Sequence, residues 1–302
     1  MITSGGEDLD RTVRALFADA GCAGWLHAVS MSPAGRDVGL GADTPVVMAS
    51  VYKLPLVISL CRMADRGAID LTEAVVVTPG LWSAGATGLG ALRDPVRMTW
   101  RDLATSMVTV SDNVAADVIL DRVGLERVQA DLAHLGLRHT RIVGGMAELH
   151  ARLQAETGTS TVAEAFAVLG DSDVDDAVSA YDAAYSSAST PRDCTTLLTG
   201  LWRDEVASPE SCAFIRDTMR AQVFTSRLAS GFPFRHVTVA GKTGTLAAIR
   251  NEVGVVEFPD EHPVAVAVFT KSARSDLSLP DVDRTIGRAA RAVVTELRVP
   301  VD

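Results

Sequence analysis

The feature that most restricts this chain is a change of period late in it. The runs "HVTVAGKTGTL", "NEVGVVEFP" and "PVAVAVFTKS" are short, β-branched and separated by turn residues, a spacing that predicts a three-stranded antiparallel meander. Near the other end, residues 8–20 alternate apolar and charged at helical spacing, and "GWLHAVSMS" reads as a strand running into a turn at "PAGRD". From about residue 50 to 200 the pattern is helical. "TWRDLATSMVTVSDNVAADVILDRVG" predicts two helices parted near "VSDN", "LERVQADLAHLG" another ending at Gly136, and "PRDCTTLLTGLWRDEV" and "PESCAFIRDTMRAQ" two more. A last amphipathic helix covers about 281–297. One sheet assembled from both chain ends, with a helical region inserted, accounts for this order most simply. The expected class is α/β (α+β), an antiparallel sheet flanked by terminal helices plus an all-α subdomain. We expect one domain over 1–302, with the α/β part at about 1–48 and 205–302 and the all-α part at about 49–204.

The 302 residues, 47% hydrophobic and 22% charged, suffice for a large core. A net charge of -10 and the lack of any basic run of five argue against a nucleic-acid partner. The N-terminal "MITSGGEDLDRTVRALFADAG" has acids where a signal peptide needs Lys or Arg, and no stretch reaches the roughly 20 apolar residues of a membrane span, so a cytoplasmic protein without membrane contact is expected. Cys22, Cys61, Cys194 and Cys212 are widely spaced with no C-x-x-C pair, which fits reduced thiols and no zinc site; Cys22 and Cys61 read as core fillers. Asp171, Asp173 and Asp175 have the first spacings of a calcium loop, but Asp176 stands where its turn glycine belongs, and a solvated helix start is the better reading.

Only three of the 28 basic residues are lysines, and one, Lys53, sits in the apolar stretch "PVVMASVYKLPLVISLC" three positions after Ser50. If a helix begins near Ser50, that spacing puts both side chains on one face. A lysine among apolar groups has its charged form disfavoured and can take a serine proton, which a guanidinium cannot do. The helix N-terminus would also point a backbone N–H and partial positive charge at an oxyanion. Pro55 falls in the second turn and would bend the helix slightly. The trio Ser111-Asp112-Asn113 falls at a helix break, where it reads as a cap, or as a proton relay at Ser111 with an amide-binding group at Asn113. In "GKTGT", Gly241 to Thr245, Lys242 is a cation on a β-edge, and Gly244 would let a substrate backbone approach closely.

S-x-x-K, then S-D-N, then K-T-G is the ordered signature of serine β-lactamases and penicillin-binding proteins. Nearly the whole chain resembles that superfamily, and in particular class A-like serine hydrolases. The resemblance implies a nucleophile at Ser50, a base at Lys53 and proton relay through Ser111 beside Lys242. It also implies amide binding by Asn113, an oxyanion hole from the N–H groups of Ser50 and Thr245, and Thr243 and Arg250 as candidates for a substrate carboxylate. No metal or cofactor is implied. The substrate would be a small β-lactam, an ester or a short D-amino-acid peptide, handled by a monomer or weak oligomer.

The resemblance breaks at one place. Class A enzymes clear the acyl-enzyme with a water activated by the glutamate of an E-x-x-L-N segment. Set against "LRHTRIVGGMAELHARL", with Thr140, Arg141 and Leu149 as anchors, that glutamate is Met146 and the asparagine is His150. Glu148 is near by register but is not the base in the family. His150 could serve as a base near neutral pH, though a surface or capping histidine is the simpler reading. The acid-rich segment 151–187 is longer than the family's loop and would cover one wall of the site. Three outcomes fit: hydrolysis through a Ser50 acyl-enzyme, transfer of the acyl group by a cytosolic acyltransferase or esterase, and acylation without efficient turnover.

Overall fold

The computed structural model describes residues 4–82, 85–170, 178–276 and 278–301. Helix α1 (Ser4–Asp19) leads into strand β1 (Cys22–Ser30) and its antiparallel partner β2 (Asp37–Leu40). The short β3 (Val46–Val47), a 3₁₀ turn over Ala49–Tyr52 and α2 (Lys53–Asp65) carry the chain away from the sheet. Strands β4 (Ala74–Val77) and β5 (Val96–Thr99) precede α3 (Trp100–Thr109), α4 (Asn113–Val123), α5 (Leu125–His134), α6 (Met146–Thr157) and α7 (Val162–Gly170). After β6 (Ala188–Ser189), α8 (Pro191–Trp202) and α9 (Pro209–Arg220), the chain returns as β7 (Thr238–Leu246), β8 (Ile249–Glu257) and β9 (Val264–Ser272), then α10 (Pro280–Leu297).

The strand order β2-β1-β9-β8-β7 joins both chain ends in one antiparallel sheet, as the change of period predicts. Register runs from Cys22 opposite Ser272 to Ser30 opposite Val264, so the lone N-terminal strand finds its partner in the last strand of the meander. Alternation then divides the sheet into two faces. Val256, Val264, Val266 and Val268 pack with Phe17 of α1 and Ile286 and Val293 of α10. Val253, Val255, Ala265, Ala267 and Phe269 face the larger core, which includes Leu197 and Leu198 of α8 and most of α2. Burial on both faces is why these strands read as nearly unbroken apolar runs. At the edge of the sheet, β7 keeps one side free of strand pairing, and the site forms there.

The structure departs from the helical reading of 50–200 at the short β6, which pairs with β3, and in one longer stretch. Val75 and Val76 pair with Met98 and Arg97 in a small β4–β5 ladder, where β-branched side chains favour the pleat over the helix. Pro55 is no misfit. Because α2 starts at Lys53, Pro55 is its third residue, within the first turn, whose N–H groups have no intrahelical partner. Helix α2 is buried almost all round, so it forms the centre of the helical region rather than a surface.

All four cysteines are free and buried, Cys22 in the terminal-helix core and Cys61 in the larger one. No helix among the described residues is long and apolar enough to cross a membrane. Asp171, Asp173, Asp175 and Asp176 lie outside the described residues.

Candidate active site

Ser50 is half-buried in the 3₁₀ turn that opens α2. The backbone N–H of Lys53 donates to the carbonyls of Ser50 and Val51, so serine and lysine are locked one turn apart. Ala49, just before the serine, has φ +45°, a left-handed conformation costly for a residue with a Cβ. The sheet holds it there. Asn251 Nδ2 on β8 donates to the carbonyls of Val47 (2.8 Å) and Met48 (3.2 Å). A Cβ on Gly244 of β7 would lie 2.5 Å from the Met48 oxygen. The serine-bearing turn therefore approaches closely at Gly244.

Lys53 is fully buried, and its Nζ donates to Ser111 O at 2.6 Å and Asn113 Oδ1 at 2.8 Å, with Ser111 Oγ at 3.4 Å. Burial brings its pKa down to about 7, against a partial upward pull from Asp112 and Asp117. A neutral amine has two N–H groups and one lone pair. The carbonyl of Ser111 and the amide of Asn113 take both N–H groups, which leaves the lone pair free to accept a proton. Lys242, also fully buried, donates to Ser111 Oγ at 3.0 Å and to Thr243 O at 2.9 Å. Burial, and then the charge of Lys53, hold it well below an ordinary lysine. The Ser111 hydroxyl thus bridges two lysines, and Ser111 too is left-handed, at φ +58°. Asp112 is the cap that the trio predicts: it accepts from Ala115 N, Leu89 N and Ser106 Oγ while fully buried.

Along β7, successive residues turn to opposite sides. Thr243 N–H points off the free edge, to Gln222 Oε1 at 2.8 Å, so Thr245 N–H faces the same open side. The Thr243 hydroxyl also bonds Gln222, at 3.1 Å. Gln222 in turn donates to Glu252 Oε1 at 2.8 Å, and Glu252, buried within β8, is raised by burial to about 7. Thr245 is exposed, and its Oγ1 accepts from Arg227 Nη2 at 2.8 Å. Arg227 also bonds the carbonyls of Gly244 and Asn251 and pairs with Asp283 at 2.6 Å. Arg250, expected as a carboxylate ligand, is buried, folded back on its own hairpin. Its Nη1 donates to Ala247 O and Ile249 O and its Nη2 to Asp276 O. Arg227, by contrast, reaches the exposed Thr245.

Met146 starts α6 and is buried, its N–H held by Asp117 Oδ1 at 2.7 Å. Glu148 turns back to accept Gly145 N–H at 2.9 Å as part of the helix cap. His150 is neither a surface nor a capping residue. It is 5% exposed, its ring meets Phe166 of α7 edge-on, and its Nδ1 has no hydrogen-bond partner among the described residues. Burial first, and then Lys53, lower its pKa. Between α6, the serine turn and the end of β7 lies a cavity walled by Met146, Leu149, Ala180 and Leu246, with Arg152, Ser186 and Ser187 from the 151–187 segment and its borders on one side.

A family model described as the beta-lactamase enzyme family matches residues 8–297. The chain belongs to that family. A β-lactamase regulatory protein of Streptomyces cacaoi, BlaB, is 31% identical over 87% of this chain and 89% of its own length. The extended-spectrum β-lactamase PER-1 of Pseudomonas aeruginosa is 25% identical over 75% and 68%. The crystal structure of a β-lactamase from Sphaerobacter thermophilus matches with a TM-score of 0.76 at 24% identity, covering 98% of each chain. The fold is the β-lactamase/transpeptidase-like fold, and the chain is a serine β-lactamase-like hydrolase.

Three residues that bond, directly or through Gln222, to the serine turn or to β7 escaped the sequence reading for different reasons. Asn251 and Glu252 form a polar pair opening an apolar strand, and that contrast was itself a signal. Arg227 gave none, since only the return of the 221–237 loop over β7 brings it to Thr245.

Proposed function

We propose that this chain forms an acyl-enzyme at Ser50 with β-lactams or related amides and esters, and that the acyl-enzyme is long-lived. Neutral Lys53 takes the Ser50 hydroxyl proton as Oγ attacks the carbonyl carbon. The N–H groups of Ser50 and Thr245 receive the oxyanion. As the C–N bond breaks, the Ser111 hydroxyl, held between Lys53 and Lys242, passes a proton to the leaving nitrogen, and Lys53 restores it. Asn113 binds the substrate amide. The Thr245 hydroxyl, its lone pair engaged by Arg227, donates to a substrate carboxylate, with Thr243 beside it. Lys53 alone then assists the water that resolves the ester.

The observation that carries slow turnover is the apolar start of α6: buried Met146 stands at the position of the deacylating glutamate, and Glu148 is engaged on Gly145 N–H. The regulatory name of the Streptomyces cacaoi relative supports the same reading, because a persistent adduct suits a sensor better than a catalyst. Mixing the protein with a chromogenic cephalosporin tests it. We expect a burst equal to the protein concentration, a slow steady phase and a lasting mass increase on Ser50, none of them in Ser50→Ala. Fast steady hydrolysis with no accumulated adduct would overturn slow turnover, and normal hydrolysis by Ser50→Ala would overturn the mechanism.

A further inference from the structure

The 221–237 loop leaves the end of α9, passes along the free edge of β7 and includes a short 3₁₀ turn at Leu228–Gly231. It is tied to the sheet by one line of hydrogen bonds. Thr243 N–H donates to Gln222 Oε1 at 2.8 Å, Gln222 Nε2 donates to Glu252 Oε1 at 2.8 Å, and Leu228 N–H donates to Glu252 Oε2 at 2.7 Å. Glu252 and Leu228 are both buried. The N–H at the start of a helical turn has no acceptor within it, so a buried one must find its acceptor elsewhere. Room for the carboxylate is built into β7, where a Cβ on Gly241 would lie 2.4 Å from Glu252 Oε1. The first glycine of "GKTGT" thus makes way for this side chain.

The line begins and ends on a backbone N–H, which can only donate. An amide side chain accepts on one side and donates on the other, so Gln222 passes the direction along unchanged. One group between the two ends must therefore accept from both sides, as an ionised carboxylate does. Glu252 is that group. Holding Gln222 Nε2 fixes which way the amide faces, so its Oε1 is turned to Thr243. Holding Leu228 N–H fixes the backbone next to Arg227, whose Nη2 donates to Thr245 Oγ1 at 2.8 Å.

We infer that Glu252 is a positioning residue for recognition of the substrate carboxylate: it clamps the loop at Gln222 and at Leu228, and so holds Arg227 on Thr245 at the free edge of β7. The inference rests on the acylation of Ser50 proposed above and assigns the residue that sets its preference for carboxylate-bearing substrates.

The test moves the carboxylate along the line. Glu252→Gln keeps the shape but puts a second amide in series, so one N–H must face another. The exchange variant Gln222→Glu/Glu252→Gln satisfies every donor again: the new carboxylate accepts from Thr243 and from the new amide, whose oxygen takes the Leu228 N–H. Acylation by benzylpenicillin and by an uncharged activated ester is followed by intact mass at pH 8, above the value of about 7 to which burial raises Glu252. We expect Glu252→Gln to lower the penicillin-to-ester rate ratio about tenfold, and the exchange variant to bring it back to within about threefold of wild type. A ratio unmoved by Glu252→Gln would overturn the assignment, and so would an exchange variant that recovers nothing. Should Glu252→Gln fail to fold, recovery of fold and ratio in the exchange variant supports the clamp, and failure of both variants overturns it. Amide hydrogen exchange read by NMR, without any substrate, tests the clamp apart from the chemistry: the Thr243 and Leu228 N–H groups should lose protection in Glu252→Gln and regain it in the exchange variant. If they do so but no reagent modifies Ser50, the acyl-enzyme reading fails and the clamp stands. If Glu252→Gln leaves both amides protected, the clamp fails whatever Ser50 does.

Discussion

Lys53 Nζ lies 2.6 Å from the backbone oxygen of Ser111, a residue 58 positions away that adopts a left-handed conformation. A carbonyl dipole rather than a carboxylate is thus the nearest partner of a fully buried ammonium. That choice keeps the lysine titrating near neutrality instead of pairing it permanently.

The pH dependence of acylation follows directly. With the Lys53 pKa at about 7, the neutral, proton-accepting form grows as pH rises through that value. The second-order rate of acylation by an uncharged activated ester should rise about fivefold from pH 6 to 7 and level off above about 8. Lys53→Arg, which cannot give up its proton, should lose on the order of 100-fold or more at every pH. Stopped-flow release of the chromophore measures both, and a pH-independent wild-type rate would exclude Lys53 as the base.

Adjacent residues of the S-D-N trio should separate chemistry from stability. Asp112 holds three donors while fully buried, so Asp112→Ala should cost about 2–4 kcal/mol in urea unfolding. Ser111→Ala removes only the hydroxyl between Lys53 and Lys242. It should unfold within about 1 kcal/mol of wild type yet lower the acylation rate by on the order of 100-fold. The reverse ranking in the two assays would exchange their roles.

The two arginines near β7 should likewise divide. Arg227→Lys keeps the charge but loses the fork that reaches Thr245 Oγ1, the two carbonyls and Asp283. We expect it to slow acylation by carboxylate-bearing β-lactams about tenfold more than acylation by an uncharged ester. Arg250→Ala, by contrast, should depress the unfolding midpoint and leave that ratio alone, because its guanidinium is spent on the hairpin and on Asp276 O. Loss of carboxylate preference in Arg250→Ala would restore the sequence-based assignment.

Met146→Glu should shorten the life of the adduct. The new carboxylate would sit at the buried start of α6, where Asp117 already accepts the N–H of residue 146, and the like charge would raise its pKa toward that of a useful base. Deacylation followed by intact mass should quicken by about tenfold or more. An unchanged lifetime would mean that the missing glutamate is not what limits turnover.

What the amino-acid sequence determined by itself was most of the order of elements, the sheet built from both chain ends, and the three motifs S-x-x-K, S-D-N and K-T-G. These are carried by short-range signals: period along a strand or helix, and residue type at a spacing of three or four. Even the cap at Asp112 was legible, since capping involves only the next three residues. The tertiary structure alone decided the partners of buried charge. Lys242 meets Ser111 across 131 positions, Arg227 rather than Arg250 reaches Thr245, and His150 lies buried against Phe166 instead of at the surface. It also decided that Gly244 is a glycine for the sake of Met48 O, and that the space beside Met146 is a cavity. Local pattern shows which side of an element faces inward. Which group it meets there depends on how distant loops and edges close over one another, and a buried lysine, arginine or histidine takes its chemistry from that neighbour.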